Sequence, residues 1–174
     1  LSFKIILCQT FFMHKLHIIN FNDFSVEELS KYLEDRYYTQ ILLDIESIQN
    51  LLDELSCNED TEIVSVLNFI YSQLSVEVKQ LFTKDKILLF PHLKNRPNTP
   101  INLRPFIQIH QKINIILIQL RKLLNNYIQQ PEWSNQFKIC FNEIFSLEQT
   151  IQQVLYIKEN FLWTKVNVIA TYEN

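Results

Sequence analysis

Not one of the 174 residues is glycine. That absence limits what the chain can build more than any motif does. Glycine takes positive φ without steric cost, and two-residue β-hairpins depend on it, which weighs against an antiparallel β protein. Gly-rich loops of the P-loop and Rossmann types need a backbone that approaches phosphate closely, so both are excluded. A Gly-x-Ser-x-Gly nucleophile elbow is excluded with them. Helix is what remains accessible, and helix ends must then use Asn in the left-handed region where other chains use Gly. Asn58, Asn95 and Asn126 are placed to do this. A glycine-free chain rich in Ile, Asn, Lys and Phe also fits AT-biased coding.

The apolar spacing agrees with helix. Ser25 followed by Glu28 forms a capping box, with Phe24 before it as a hydrophobic staple. From there Leu29, Leu33, Tyr37, Ile41, Ile45, Ile48, Leu52 and Leu55 recur at three-four spacing as one buried stripe. A second helix is expected from Thr61 to Phe90, with Ile63, Leu67, Ile70, Leu74, Val78, Leu81 and Leu88 inward. Pro91 should end it, because proline disfavours helical geometry in the residue before it. A connector punctuated by Pro97 and Pro100 follows.

The third helix begins near Asn102, with Pro105 in its first turn and Phe106, His110, Ile113, Leu117, Leu120, Leu124 and Ile128 inward. After Pro131 the fourth runs from Ser134 to Lys165 on Phe137, Phe141, Ile144, Leu147, Ile151, Val154, Lys158, Phe161 and Lys165. Four amphipathic helices of roughly 25 to 30 residues, each about 40 Å long, suit an all-α, antiparallel, up-down four-helix bundle. The division expected is an N-terminal arm over residues 1–23, the bundle over 24–166 and a tail over 167–174.

Charge and cysteine usage narrow the function classes. Net charge is −3 with no run of Lys and Arg, so no footprint for nucleic acid or anionic lipid is visible. Cys8, Cys57 and Cys140 are odd in number and unpaired in spacing, which is no disulfide framework. A reducing cytosol is the expected home, and with no CxxC a Cys-based zinc site is not expected. The apolar stretch Leu1 to Phe12 is too short to span a bilayer and lacks the marks of a signal peptide. It is read as an arm packed on the domain, or as sequence upstream of a start at Met13. His14 and His17 form a His-x-x-His without other ligand candidates nearby, and His92 sits where a charged imidazole favours the end of the second helix.

Several marks in order resemble the hemerythrin-like cation-binding domain, closest to the di-iron proteins linked to repair of iron-sulfur centres. They are Phe24-Ser25-Val26-Glu27-Glu28-Leu29, then Tyr37-Tyr38 at a family His-His pair, then Leu88-Leu89-Phe90-Pro91, His110, and Glu159-Asn160-Phe161-Leu162-Trp163. The resemblance covers about residues 24–165. It implies a hemerythrin-like bundle whose second and fourth helices would each give a His and, four residues on, a Glu, with histidines added by the first and third.

Carried over residue by residue, the first-helix ligand falls at Tyr37 or Tyr38, and the second-helix pair at Leu81 and Asp85. The third-helix ligand is His110, and the fourth-helix pair falls at Val154 and Lys158, with Glu159 one position away. His110 survives intact and Asp85 in kind. Leu81 and Val154 cannot bind metal, and Lys158 brings a positive charge into a cation site. The expectation is a lost di-iron centre, with the Lys158 ammonium in the place of metal, paired with Asp85 and near His110 or Tyr37. The plainer alternatives are that Lys158 snorkels to solvent and that His110 is a core histidine bonded to Tyr37 or Asn114.

No catalytic arrangement stands out, and the carboxylate pairs Asp44/Glu46 and Glu59/Asp60 look solvated. The expected function is therefore a binding, regulatory or structural module rather than an enzyme. It would hold no cofactor, span no membrane, bind no nucleic acid, and meet a protein partner that the sequence does not name. A residual cavity would lie among Tyr37, Leu81, Asp85, His110, Asn114, Val154 and Lys158. The alternative is an iron protein handling oxygen, nitric oxide or iron for cluster repair, with iron on His110, Asp85 and Tyr37. A third reading is a helical interaction protein outside that family.

Overall fold

The computed structural model of the protein describes residues 19–58, 61–95 and 99–166. It is all-helical, with four long helices. The first is α1 (Val26–Leu33) running through a π-helical turn at Glu34–Tyr38 into α2 (Thr39–Asn58). The second is α3 (Glu62–Lys84), a π turn at Asp85–Leu89 and α4 (Phe90–Asn95). The third is α5 (Arg104–Leu123). The fourth is α6 (Asn135–Ile157), followed by a π turn at Lys158–Leu162 and a 3-10 turn at Trp163–Lys165.

Side chains satisfy the helix starts as their sequences dictate. Ser25 and Glu28 close the capping box: the Glu28 amide donates to Ser25 Oγ at 3.2 Å and the Ser25 amide to Glu28 Oε2 at 2.7 Å. Thr61 caps α3 through the Val64 amide, and Ser134 caps α6 through the Phe137 amide at 3.0 Å. Pro105 occupies the first turn of α5, where its missing N–H leaves no bond unmade. Phe24 packs edge-on against Phe21 and Tyr32.

The first stripe is buried as its spacing predicts, from Leu29 to Leu55. Each of the other three helices departs from expectation at one end. Pro91 does not stop the second helix, which continues to Asn95. The π turn just before it explains this: Phe90 N–H bonds back to Asp85 O, so the regular ladder is already interrupted where the proline ring enters. The extra residue in that turn also rotates Leu88 out to solvent and Leu89 inward. Ile63 and Ile70 are only half-buried, while Val64 and Tyr71 take the inner positions.

Ile128 is exposed because α5 has ended by then. Asn125, Asn126 and Tyr127 follow with φ of 48°, 53° and 62°, a left-handed turn built without glycine. Asn126 thus takes the conformation expected of it. Asn58 and Asn95 do not, since these three are the positive-φ residues among those described. Lys165 is exposed and donates to the Asn22 carbonyl at 2.7 Å. That bond and the Phe21–Phe161 contact hold residues 20–24 against the end of the fourth helix, so the described part of the expected arm lies on the bundle. Cys8, Met13, His14, His17, Glu59, Asp60 and Pro97 lie outside the described residues.

α2 packs on α3 and α6, and α3 packs on α5. Tyr71 Oη donates to the Ile45 carbonyl and Gln49 bonds Asn68 across the α2–α3 seam. Lys112 meets Glu77 between α5 and α3. Among the described residues no helix is long and apolar enough to cross a membrane.

Removing the first cap should have a defined cost. Ser25→Ala leaves the Glu28 amide without its acceptor, and urea unfolding should show a loss of about 1 kcal/mol.

Candidate functional site

The three π turns bring Tyr38, Asp85 and Lys158 to one buried layer. Each turn inserts an extra residue into its helix, and such bulges favour sites where a side chain must be re-aimed. Asp85 and Lys158 are both fully buried. Lys158 Nζ donates to Asp85 Oδ2 at 2.5 Å, and Tyr38 Oη donates to the same oxygen at 2.6 Å. One carboxylate oxygen therefore takes both donors. The Tyr38 ring stacks on Phe82 with centroids 3.7 Å apart, which fixes the direction of its hydroxyl.

His110, on α5, is 1% exposed. Its Nδ1 lies 3.0 Å from Glu159 Oε1, and its ring lies against Trp163 with centroids 4.4 Å apart. Lys158 Nζ stands 5.9 Å from the centre of the same indole. Leu81 and Val154, one turn before Asp85 and Lys158, are buried apolar neighbours in the core. Lys158 is thus inside and does not snorkel.

Two expected contacts are replaced. Tyr38, not Tyr37, reaches the acid; Tyr37 packs edge-on against Tyr32 instead. The π turn at Glu34–Tyr38 carries both consecutive tyrosines inward, which uniform helical spacing does not anticipate. Asn114 is exposed and takes no part. The partner of His110 is Glu159, whose own side chain stays 44% exposed at the rim. Glu159 and Trp163 were legible only as part of the closing Glu-Asn-Phe-Leu-Trp run. Their role depends on the turn of the fourth helix after Lys158.

Burial dominates the electrostatics. It raises Asp85 above its ordinary value and lowers Lys158 below its own; the attraction between them opposes both shifts without reversing them. Burial, reinforced by the Asp85 charge, keeps the Tyr38 phenol protonated. Burial and then the Lys158 charge hold His110 down at about 2, so it is neutral at physiological pH. With Glu159 ionised, His110 Nδ1–H is the donor in that contact and Nε2 is the bare acceptor. Burial also pushes the Cys140 thiol up to about 12, so it is not a reactive thiolate.

A second buried carboxylate went unread in the sequence. Glu148 on α6, 1% exposed, is bonded by Arg121 and, at 2.5 Å, by Tyr127 Oη. It ties the left-handed turn after α5 to α6. Its only sequence signal was an acid immediately after Leu147, on the flank of the fourth stripe.

The layer does not fit a di-iron centre. Its donors are the buried Asp85 carboxylate, one imidazole and a phenol, with the Glu159 carboxylate at the rim on the imidazole, and an ammonium is bonded to Asp85. Among the described residues no group of three or more His, Cys, Asp or Glu side chains converges as a metal site. Compared with known protein families and with curated proteins, the chain has no match.

Removing one member of the pair should be far worse than removing both. Lys158→Met leaves a buried carboxylate uncompensated and should cost about 3–5 kcal/mol in urea unfolding. In a Tyr38→Phe background, adding Asp85→Leu to Lys158→Met should recover most of that loss. An unchanged stability in Lys158→Met would count against the buried pair.

The pH dependence of stability should carry the signature of His110. The unfolded chain takes up its proton near pH 6.5, whereas the folded protein resists until about 2. The contribution of His110 is therefore present above pH 6.5 and lost as pH falls towards 2, by about 1.4 kcal/mol per pH unit. Between pH 6 and 4, His110→Phe should show a shallower decline by that amount. Equal slopes would mean that His110 titrates normally in the fold.

Proposed function

We propose that this protein is a diverged hemerythrin-like, antiparallel up-down four-helix bundle that has lost its metal centre and works as a binding, regulatory or structural module. The observation that carries this reading is the Lys158–Asp85 contact, an ammonium 2.5 Å from the carboxylate inside a fully buried layer. A fixed cation there repels a metal ion and occupies the carboxylate that a metal would need. Paired cross-helix contacts support the up-down order: His110 meets Glu159 while Arg121 meets Glu148, and Ile45 meets Tyr71 while Gln49 meets Asn68, so residue numbers rise along one helix as they fall along its neighbour.

A module role places function on the surface. The outer side of α3 and α5 exposes Phe69, Val76 and Ile115, with Val76 and Ile115 beside a groove that also contains Glu77 and Lys112. An apolar groove with polar residues beside it is the kind of surface a protein partner would use. The interior, by contrast, holds a buried ion pair, and among the described residues no nucleophile is bonded to a base there.

Metal content per chain, measured on protein purified from iron-supplied cells together with its visible spectrum, tests the reading. Near-zero iron and no ferric-tyrosinate or oxo-bridge band are expected. Stoichiometric iron lost on changing His110 or Asp85 would overturn the proposal and return the protein to iron and diatomic-gas chemistry.

A further inference from the structure

Some polar atoms of the buried layer are left over once its contacts are made. Asp85 Oδ1, His110 Nε2 and Trp163 Nε1 are out of solvent and have no hydrogen-bond partner among the described residues. Lys158 Nζ carries three donors and bonds one carboxylate oxygen among them. The four residues that carry them are linked by contact. Lys158 holds Asp85 directly, stands 5.9 Å from the Trp163 ring centre, and that ring lies 4.4 Å from the imidazole of His110.

The leftovers are of opposite kinds. Asp85 Oδ1 and His110 Nε2 accept; Trp163 Nε1–H and the spare Lys158 N–H groups donate. Buried polar groups are seldom left unbonded, because each unmade bond costs about 1–3 kcal/mol. An anion in this layer would face the Asp85 carboxylate and the Nε2 lone pair. A cation would face Lys158. A small neutral molecule that both donates and accepts satisfies all of them.

We propose that the layer is an internal water site, in which bound water donates to Asp85 Oδ1 and His110 Nε2 and accepts from Lys158 and Trp163. Internal waters commonly make about three such bonds, and this site offers donors and acceptors from three helices. The water completes the solvation of the ion pair, which direct contacts leave one-sided on Asp85. The inference rests on the partnering of four side chains and not on the family resemblance; near-zero metal leaves it to its own test, whereas a metal held by Asp85 and His110 would take both acceptors and overturn it.

Oxygen-17 magnetic relaxation dispersion on the full chain counts long-lived internal waters. Wild type should show at least one more than His110→Phe, which removes Nε2 and fills the ring space. Trp163→Phe should reduce the same component, while the exposed change Ile139→Thr should leave it unaltered. Equal dispersion in wild type, His110→Phe and Trp163→Phe, with all three folded by circular dichroism, would overturn the proposal. Should His110→Phe not fold, a high-resolution crystal structure of wild type decides. Density about 2.7–3.2 Å from Nε2 and from a second of the four groups supports the site. Direct contacts among those groups with no such density refute it.

Discussion

The burial of the Lys158 charge is the constraint around which the interior is arranged. An ammonium taken out of water must be met by a carboxylate and by further hydrogen bonds, or lose its proton. Asp85 meets it from the second helix through Oδ2, and Tyr38 from the first helix donates to that same oxygen. The three residues sit in π turns on three separate helices. Each turn interrupts a regular ladder, and what offsets the interruption is the polar layer that the turns make possible. The layer thus fixes the register of three helices relative to one another, a role for buried polar groups that apolar packing serves less well.

The molecule has a second polar clasp at Glu148, and the two differ in kind. Glu148 is bonded by Arg121, which is partly exposed, and by Tyr127 in a strained left-handed turn. That clasp keeps contact with solvent through Arg121 and holds a loop. The Lys158 layer is buried, holds helices, and keeps both donors and acceptors without a direct partner among the described residues. Only the second arrangement has the chemistry of an internal binding site. Glu159 and Trp163 belong to it because the helix winds wider after Lys158, carrying one to the imidazole and the other over its face.

Much of this was legible in the residues. The absence of glycine pointed to helix; the Ser25–Glu28 box and the stripe from Leu29 to Leu55 placed the first helix closely. The inward position of Lys158 followed from its place on the stripe of Phe137, Phe141, Ile144, Leu147, Ile151 and Val154, while Asp85 was singled out only through the family resemblance. Three of the readings that failed share one physical cause. A stripe extrapolated at uniform helical spacing fails wherever a turn holds an extra residue, and so Leu88 was placed inside, Pro91 was read as a stop and Tyr37 was preferred to Tyr38.

By itself, the sequence determined that the chain is helical, where the four helices start, and that Lys158 lies on the inward stripe of the fourth, because caps and periodicity are local properties. Tertiary structure alone decided which tyrosine meets Asp85, that His110 turns to Glu159 and not to Asn114, and that Glu148 is buried at all. The first two outcomes depend on where π turns form, and the third on Arg121 and Tyr127 reaching Glu148 from α5 and the turn after it. A π turn is locally unfavourable and persists only where contacts between helices compensate for it, so no single segment carries its signal.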